Sequence, residues 1–561
     1  MAKFTKRLIL LIILLISTCP SLSQAQSVVI PRGVEAGNIE KQLTPPPQPE
    51  STPIIPDEYT PLGVPSGAEN ITLQLRDVTV EGSTVYSQRE LERFYKKLLG
   101  EKVSLADVYG VADRIRNLYH QDGYILTQVF LPPQDINNGN VRIHITEGYI
   151  SQLRWIGDEI QNSIPVGMAA AITESKPFNA DTLEDVMLRL NEIPGVFVQA
   201  SLEPLPAETA EEGAVGLVLS VDRNDYSGSI GVDNFASRYL GVWQSNARLE
   251  AYHLLSDVDR VSITTASSYD PARLRYGALQ YTLPIHKSGT ALSLSVNNSY
   301  THPGYLLKDL NVVSRAAGLS LSATQPLIRS RIQSLSITGQ FNIRRQETRI
   351  LQADFTEDRM RTVDFITDYN MSDEWGGTNT LSAQLSHGLN LFNPTRPGSL
   401  LLSNPNGQND FTKLLLNGSR LQTIDRHFSL LAAFTAQKSS SALLSSEQFG
   451  YGGSSFGRAY NASELSGDEG IAVSTELRYT TNYQDINLQP YIFYDIGAVS
   501  DREAFGTTVS GASFGIGGRA QWRALRLDAS LSLPLTYTPG TPKLGSTNKD
   551  PVFAVSVTQG F

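Results

Sequence analysis

A chain of 561 residues is too long for one ordinary hydrophobic core, so several domains are expected. Its formal net charge of -10, with no Lys/Arg cluster that reads as a phosphate groove, argues against a nucleic-acid binder. Beyond the N-terminal stretch no run of about 18 apolar residues occurs, which leaves a soluble chain or one that crosses a membrane as a barrel.

Residues 1–25 read as a secretory signal. Lys3, Lys6 and Arg7 form the basic region, Leu8 to Ile16 the apolar core, and Ser23-Gln24-Ala25 the small-x-small cleavage site. Cys19, the only cysteine, lies inside it; lipoprotein cleavage before Cys19 is disfavoured by Ile16-Ser17-Thr18 and by Pro20. The mature chain then has no thiol, as suits an exported protein without a disulfide framework.

Residues 26–69 are a leader. Val34 to Leu43 fits a short helix, and the proline-rich run from Thr44 to Pro65 makes a semi-rigid tether. The leader is either a linker or a helix that docks elsewhere on that tether.

Residues 70–149 read as a small α/β unit. Leu73, Leu75, Val78 and Val80 lie on a strand, and Ser87-Gln88-Arg89-Glu90 is a capping box ahead of Leu91, Phe94, Tyr95 and Leu98 at helical spacing. Ser104 caps a second helix, with Val108, Val111, Ala112, Ile115 and Tyr119 on its inner face; strands at Ile125–Leu131 and Val141–Ile145 close the unit. Residues 150–223 repeat this β-α-α-β-β plan, ending in a strand with Val215, Leu217, Leu219 and Val221.

From about Asn224 the texture changes to segments of about ten residues that alternate apolar and small polar. Leu292, Leu294 and Val296 alternate with Ser293, Ser295 and Asn297; Leu525, Leu527, Ala529, Leu531 and Leu533 repeat the pattern. The polar face is Ser, Thr, Asn and Gln rather than Lys and Glu, the mark of a membrane barrel with a polar lumen. Residues 224–561 suffice for about 16 antiparallel strands, the last ending on Phe561. Within this region residues 445–470 form a long glycine-rich loop with a lone arginine, Arg458. Asp495 lies in an otherwise apolar strand, Phe493-Tyr494-Asp495-Ile496-Gly497.

These motifs resemble the outer-membrane transporter of two-partner secretion systems, the haemolysin and filamentous-haemagglutinin secretion type. Gly123-Tyr124, Leu131-Pro132-Pro133-Gln134-Asp135, Gly139 and Glu147-Gly148 are similar to the first periplasmic POTRA domain of that family, and Leu190-Asn191-Glu192-Ile193-Pro194-Gly195 to its second. Phe456-Gly457-Arg458-Ala459-Tyr460 resembles the tip of the sixth extracellular loop, although the family more often has V-R-G-F/Y there. Phe493, Asp495 and Gly497 fit its F-x-D-x-G strand motif. The resemblance implies two α+β POTRA domains in the periplasm (70–149 and 150–223), then a transmembrane barrel (224–561) in the outer membrane of a Gram-negative bacterium. It also implies that Phe561 ends the signal read by the outer-membrane assembly machinery.

The residues themselves support the Arg458–Asp495 pairing. A guanidinium in a water-filled lumen needs a partner, and its fork matches a carboxylate. Asp495 points opposite to Tyr494 and Ile496, hence toward the lumen. Other motifs carry no chemistry. Gly515-Ile516-Gly517-Gly518-Arg519-Ala520 fits G-x-G-x-x-A but has no helix after it, Gly452-Gly453-Ser454-Ser455 lacks nucleophile-elbow spacing, and the 7 histidines show no metal spacing.

The expected function is therefore transport of an unfolded exoprotein, with no catalytic set, metal or cofactor; the alternative is an assembly factor (insertase) of the same superfamily. The expected partners are the exoprotein, outer-membrane lipid and the assembly machinery, and not nucleic acid. Client capture by strand addition is expected along Val141, Ile143, Leu217 and Leu219, or on Tyr124, Leu131 and Pro132.

Overall fold

A computed structural model describes residues 30–44, 63–136, 138–158, 163–206, 211–502, 508–536 and 550–561. The expected signal peptide and most of the proline-rich tether lie outside these residues.

The first α/β unit is a three-stranded sheet in the order Asp77–Glu81, Asn140–Thr146, Gln128–Phe130, with the first pair parallel and the second antiparallel. The helix Leu105–Gln121 starts at a capping box formed by Ser104 and Asp107, and buries Val108, Val111, Ala112, Ile115 and Tyr119 against the sheet. The Ser87 box is also formed, but its helix stops at Glu92 and a 3-10 turn follows at Lys96–Leu98. Leu91 and Tyr95 are nonetheless buried, so the apolar spacing there records burial rather than a continuous helix.

Glu147 locks the end of the middle strand. Its carboxylate accepts the Tyr119 hydroxyl at 2.7 Å and the Thr84 and Val85 backbone N–H groups at 2.8 and 3.1 Å. Burial opposes its ionisation, but these bonds outweigh burial and hold the acid below the usual carboxylate range. Gly148 follows because a Cβ there would lie 2.6 Å from the Leu126 carbonyl.

The second unit has the order Tyr149–Gly157, Ala214–Arg223, Val196–Glu203, with helices Ser163–Glu174 and Ala180–Asn191. Its Ala180 N–H donates to the Gly123 carbonyl at 2.8 Å, and Phe178 N–H to Gly148 at 2.8 Å, so the two units are joined by backbone. In both, the last strand in chain order inserts between the other two. This corrects one expectation: Val141, Ile143, Leu217 and Leu219 lie on middle strands paired on both sides, and none is more than 1% exposed. They offer no edge, because alternating apolar residues report which face is buried and not which neighbours a strand has.

The barrel is closed and antiparallel, with sixteen strands when Glu469–Tyr479 and Thr481–Tyr483 are taken as one. Its first strand, Tyr226–Asp233, pairs with its last, Val552–Gly560. Tight turns at one end meet the second α/β unit: Arg189 donates to the Ser288 carbonyl at 2.5 Å, Arg329 pairs with Glu192 at 2.5 Å, and Val258 is buried in that unit's core. Long loops, including 389–411 and 440–468, leave the other end. Serine, threonine, asparagine and glutamine face inward while Leu292, Leu294, Val296, Leu319 and Leu321 face outward, so the lumen is polar and the outer wall is apolar.

Phe561 completes the seam. Its backbone N–H and carbonyl both bond Gly228 at 3.0 Å, and its ring is 59% exposed on the outer wall. Deleting Phe561 is therefore expected to lower the heat-modifiable, folded fraction in the membrane severalfold; unchanged assembly would remove its role at the seam.

A loop anchored inside the barrel

The stretch from Ser445 folds into the lumen. Phe449–Tyr451 and Leu465–Gly467 form a short hairpin, and Gly452, Gly453 and Gly457 take φ of 111°, 117° and 74° between them. Those angles suit glycine alone without strain. The returning loop buries Phe449, Tyr451, Phe456, Ala459, Tyr460 and Leu465 against Ala472 and Val499 of the wall.

At its tip Arg458 meets the wall through every part of its guanidinium. Nη2 lies 2.9 Å and Nε 3.1 Å from the two oxygens of Asp495, a bidentate fork, and the Arg458 backbone N–H reaches Asp495 at 3.1 Å. Nη1 lies 2.9 Å from Glu476, and Nη2 is 3.1 Å from the Ser474 hydroxyl. The guanidinium carbon stands 3.4 Å from the Phe493 ring centroid, which gives that motif position a cation–π role. Asp495 is 0% exposed and also accepts from Ser474 at 2.7 Å and Ser513 at 3.2 Å. The buried carboxylate is thus fully partnered, as a dry ion pair requires.

Gly497 and Gly457 have a steric reason. A Cβ on Gly497 would come 2.3 Å from the Tyr451 ring, and one on Gly457 would come 2.7 Å from it. Tyr451 is therefore clamped between wall and loop tip. Tyr460 adds a second tether, its hydroxyl 2.9 Å from both the Ala512 carbonyl and the Thr536 hydroxyl.

The sequence reading missed the rest of the charged set. Glu476 also accepts from Arg519 at 2.6 Å and Arg478 at 2.7 Å, and Arg519 continues to Asp528 at 2.9 Å. The signal was available: Ser474, Glu476 and Arg478 alternate with Val473, Thr475 and Leu477, which places them on the lumen face. Arg519 sat inside the glycine-rich stretch set aside as a failed nucleotide motif.

A second segment shares the lumen. Residues 30–44 enter as turns Arg32–Val34 and Ala36–Asn38 followed by the helix Ile39–Leu43, so of the helix expected over Val34–Leu43 only the second half is α-helical. Val34 and Ile39 are buried against Tyr276 of the wall and against Tyr239, Leu240 and Val312 in the loops between wall strands. Thr301 donates to the Val34 carbonyl at 2.7 Å and Ser299 to Ala36 at 2.6 Å. This segment also grips the loop: Glu35 accepts from Ser445 at 2.5 Å, and Lys41 donates to the Ser446 carbonyl.

The remaining candidates sit apart from this lumen. Tyr124 and Leu131 are half-buried against the first unit's core, and Tyr124 meets Tyr119 edge-on at 6.0 Å. Pro132 is half-buried beside the edge strand Gln128–Phe130. Among the described residues no group of three or more His, Cys, Asp or Glu side chains has metal-binding geometry.

Residues 214–518 match the model of a family described as haemolysin secretion/activation protein ShlB/FhaC/HecB, and residues 73–148 match the ShlB-type POTRA domain. The heme/hemopexin transporter protein HuxB of Haemophilus influenzae is 25% identical over 417 residues, covering 73% of this chain and 72% of that protein. The outer membrane transporter CdiB of Dickeya dadantii is 22% identical over 429 residues, 75% of this chain and 74% of its own. Among solved structures, CdiB from Escherichia coli superposes with a TM-score of 0.70 at 19% identity, covering 89% of this chain and 92% of that one. BamA from Haemophilus ducreyi lacking POTRA domains 1–3 reaches 0.51 at 14% identity, over 87% and 100%, a likeness of fold.

Proposed function

Because the chain belongs to the haemolysin secretion/activation family and is an outer-membrane transporter of the two-partner secretion type, we propose that it captures an unfolded exoprotein on the strand edges of two POTRA domains (70–149 and 150–223) and passes it through the barrel (224–561). The observation that carries this reading is the placement of the POTRA edges. The second domain is bolted to the periplasmic turns, and its strand Val196–Glu203 leaves one side unpaired among the described residues, with Phe197 and Leu202 each 50% exposed. In the first domain the edge strand Gln128–Phe130 carries exposed Phe130, with Tyr124, Leu131 and Pro132 beside it. An extended client adds to such an edge through its own backbone, so many sequences are accepted and apolar side chains supply the grip.

HuxB is named for heme and hemopexin, and the client of this chain is likewise taken to be a secreted protein of its own system. During transit residues 30–44 must leave the lumen, while the apolar outer wall stays in lipid and Phe561 serves the assembly machinery. The test is secretion of the exoprotein from cells that express it with and without this chain. Phe130→Asp with Phe197→Asp should cut secreted client at least about tenfold at equal folded barrel, since each half-exposed ring has up to about half of the ~1.5–3 kcal/mol of full burial to contribute. Undiminished secretion by that double variant would move client capture away from these edges.

A further inference from the structure

The two longest strands, Gln333–Ile350 and Ala353–Ser372, run 18 and 20 residues and rise past the barrel rim on the extracellular side. Their lower outward positions are apolar: Phe341 and Ile343 on one, Val363 and Phe365 on the other. About ten residues suffice to cross the hydrocarbon, so the next outward positions stand at the outer-leaflet headgroups. There the wall turns basic. Arg345 and Arg359 are directly opposed in register, Arg361 lies one outward step below Arg359, and Arg315 lies on the neighbouring strand.

Like charges opposed across strands destabilise a sheet unless a counter-charge intervenes. Two carboxylates serve three of these cations: Glu357 pairs with Arg345 at 2.9 Å and Arg359 at 3.0 Å, while Glu347 lies 3.5 Å from Arg345 and 3.8 Å from Arg315. Arg361 donates to the carbonyls of Arg344, Met360 and Phe392, and no ion pair of its own occurs among the described residues. Arg275, the next outward cation along the rim, lies 4.7 Å from the Tyr300 ring, with Arg315 at 5.9 Å on the same ring. An excess of guanidinium therefore sits immediately above lipid-facing aromatics, on a chain whose net charge is -10.

We propose that Arg315, Arg345, Arg359 and Arg361 form a binding site for the phosphate groups of an outer-leaflet glycolipid, whose acyl chains lie on Val363 and Phe365. Arginine suits the task because its fork matches phosphate and its charge persists at the interface. Extracellular loop 389–402 borders the site: Phe392 packs 6.5 Å from Phe341, and its carbonyl holds Arg361 at 3.1 Å. Bound lipid would thus also fix that loop.

The experiment uses the full chain, delipidated in detergent, with bis-phosphorylated lipid A, dephosphorylated lipid A and inorganic pyrophosphate as probes, and bound lipid read by native mass spectrometry. Bis-phosphorylated lipid A should bind at least about tenfold more tightly than the other two, a difference of about 1.4 kcal/mol. Arg345→Gln/Arg359→Gln/Arg361→Gln should erase that preference. Glu347→Gln/Glu357→Gln should tighten binding severalfold, a gain that damage to the fold cannot imitate. Equal binding of dephosphorylated lipid A would make this ordinary apolar wall, and equal binding of pyrophosphate would make it a free-anion site; either overturns the proposal. If the triple variant does not fold, absence of tightening in the glutamate variant overturns it alone.

Discussion

Arg458→Ala is expected to reduce secretion by well over tenfold while the barrel still inserts. The substitution removes the guanidinium's four hydrogen bonds, and leaves Asp495, which is 0% exposed, with only the hydroxyls of Ser474 and Ser513 and the backbone N–H of residue 458. Removing one partner of a buried ion pair costs about 3–5 kcal/mol, because the remaining charge keeps its desolvation and loses its compensation. That is enough to release the loop tip, whose other tethers are Tyr460 and the Tyr451 clamp. Asp495→Ala should do similar damage. The double variant should lose less than the sum of the two singles, with a coupling of about 0.5–3 kcal/mol. Glu476 sets the upper part of that range out of reach, since it holds Arg458 at 2.9 Å whether or not Asp495 is present. Arg458→Lys should recover little, as an ammonium cannot span Asp495 and Glu476 together. The measurement is secreted client per folded transporter, with loop position read by surface protease sensitivity. Strictly additive losses, or full secretion by Arg458→Ala, would show that the pair does not act as a unit.

What could be read from sequence divides along physical lines. Alternation of Leu and Ser reports a wall with an apolar and a polar side, so the barrel and the lumen-facing Asp495 were legible without coordinates. Topology inside the α/β units was not, because Val141 and Leu217 look the same on a middle strand as on an edge. In the sequence Gly497 is only a motif letter; its reason is a tyrosine 46 residues earlier, Tyr451, whose ring occupies the space a Cβ would need. Glu476 was overlooked for a related cause. One acid on a strand looks like a solvated side chain until the register sets it beside Arg458, Arg478 and Arg519. Val34 to Leu43 carries a helical pattern, yet only Ile39–Leu43 is α-helical and 3-10 turns precede it, where the carbonyls of Val34 and Ala36 are claimed by Thr301 and Ser299 of the wall.

The largest change in conductance is expected from a single glycine in that leader. A Cβ on Gly33 would fall 1.9 Å from the Ala462 carbonyl, a backbone atom of the inward loop that has no rotamer by which to yield. Gly33→Leu therefore forces either loop or leader to move. The leader is the weaker of the two: Val34 and Ile39 contribute about 1.5–3 kcal/mol each by burial, whereas the loop is held by the Arg458 ion pairs and its own apolar cluster. The leader should leave, carrying Glu35 and Lys41 from their partners at Ser445 and Ser446. Single-channel conductance in planar bilayers should rise severalfold, and deletion of 30–44 should give the same open level. Gly63→Leu is the control, because nothing lies within 4 Å of a Cβ there, and its conductance should match the parent chain. If Gly33→Leu and the deletion both conduct like the parent, residues 30–44 do not close the pore, and the lumen must be blocked by the inward loop alone.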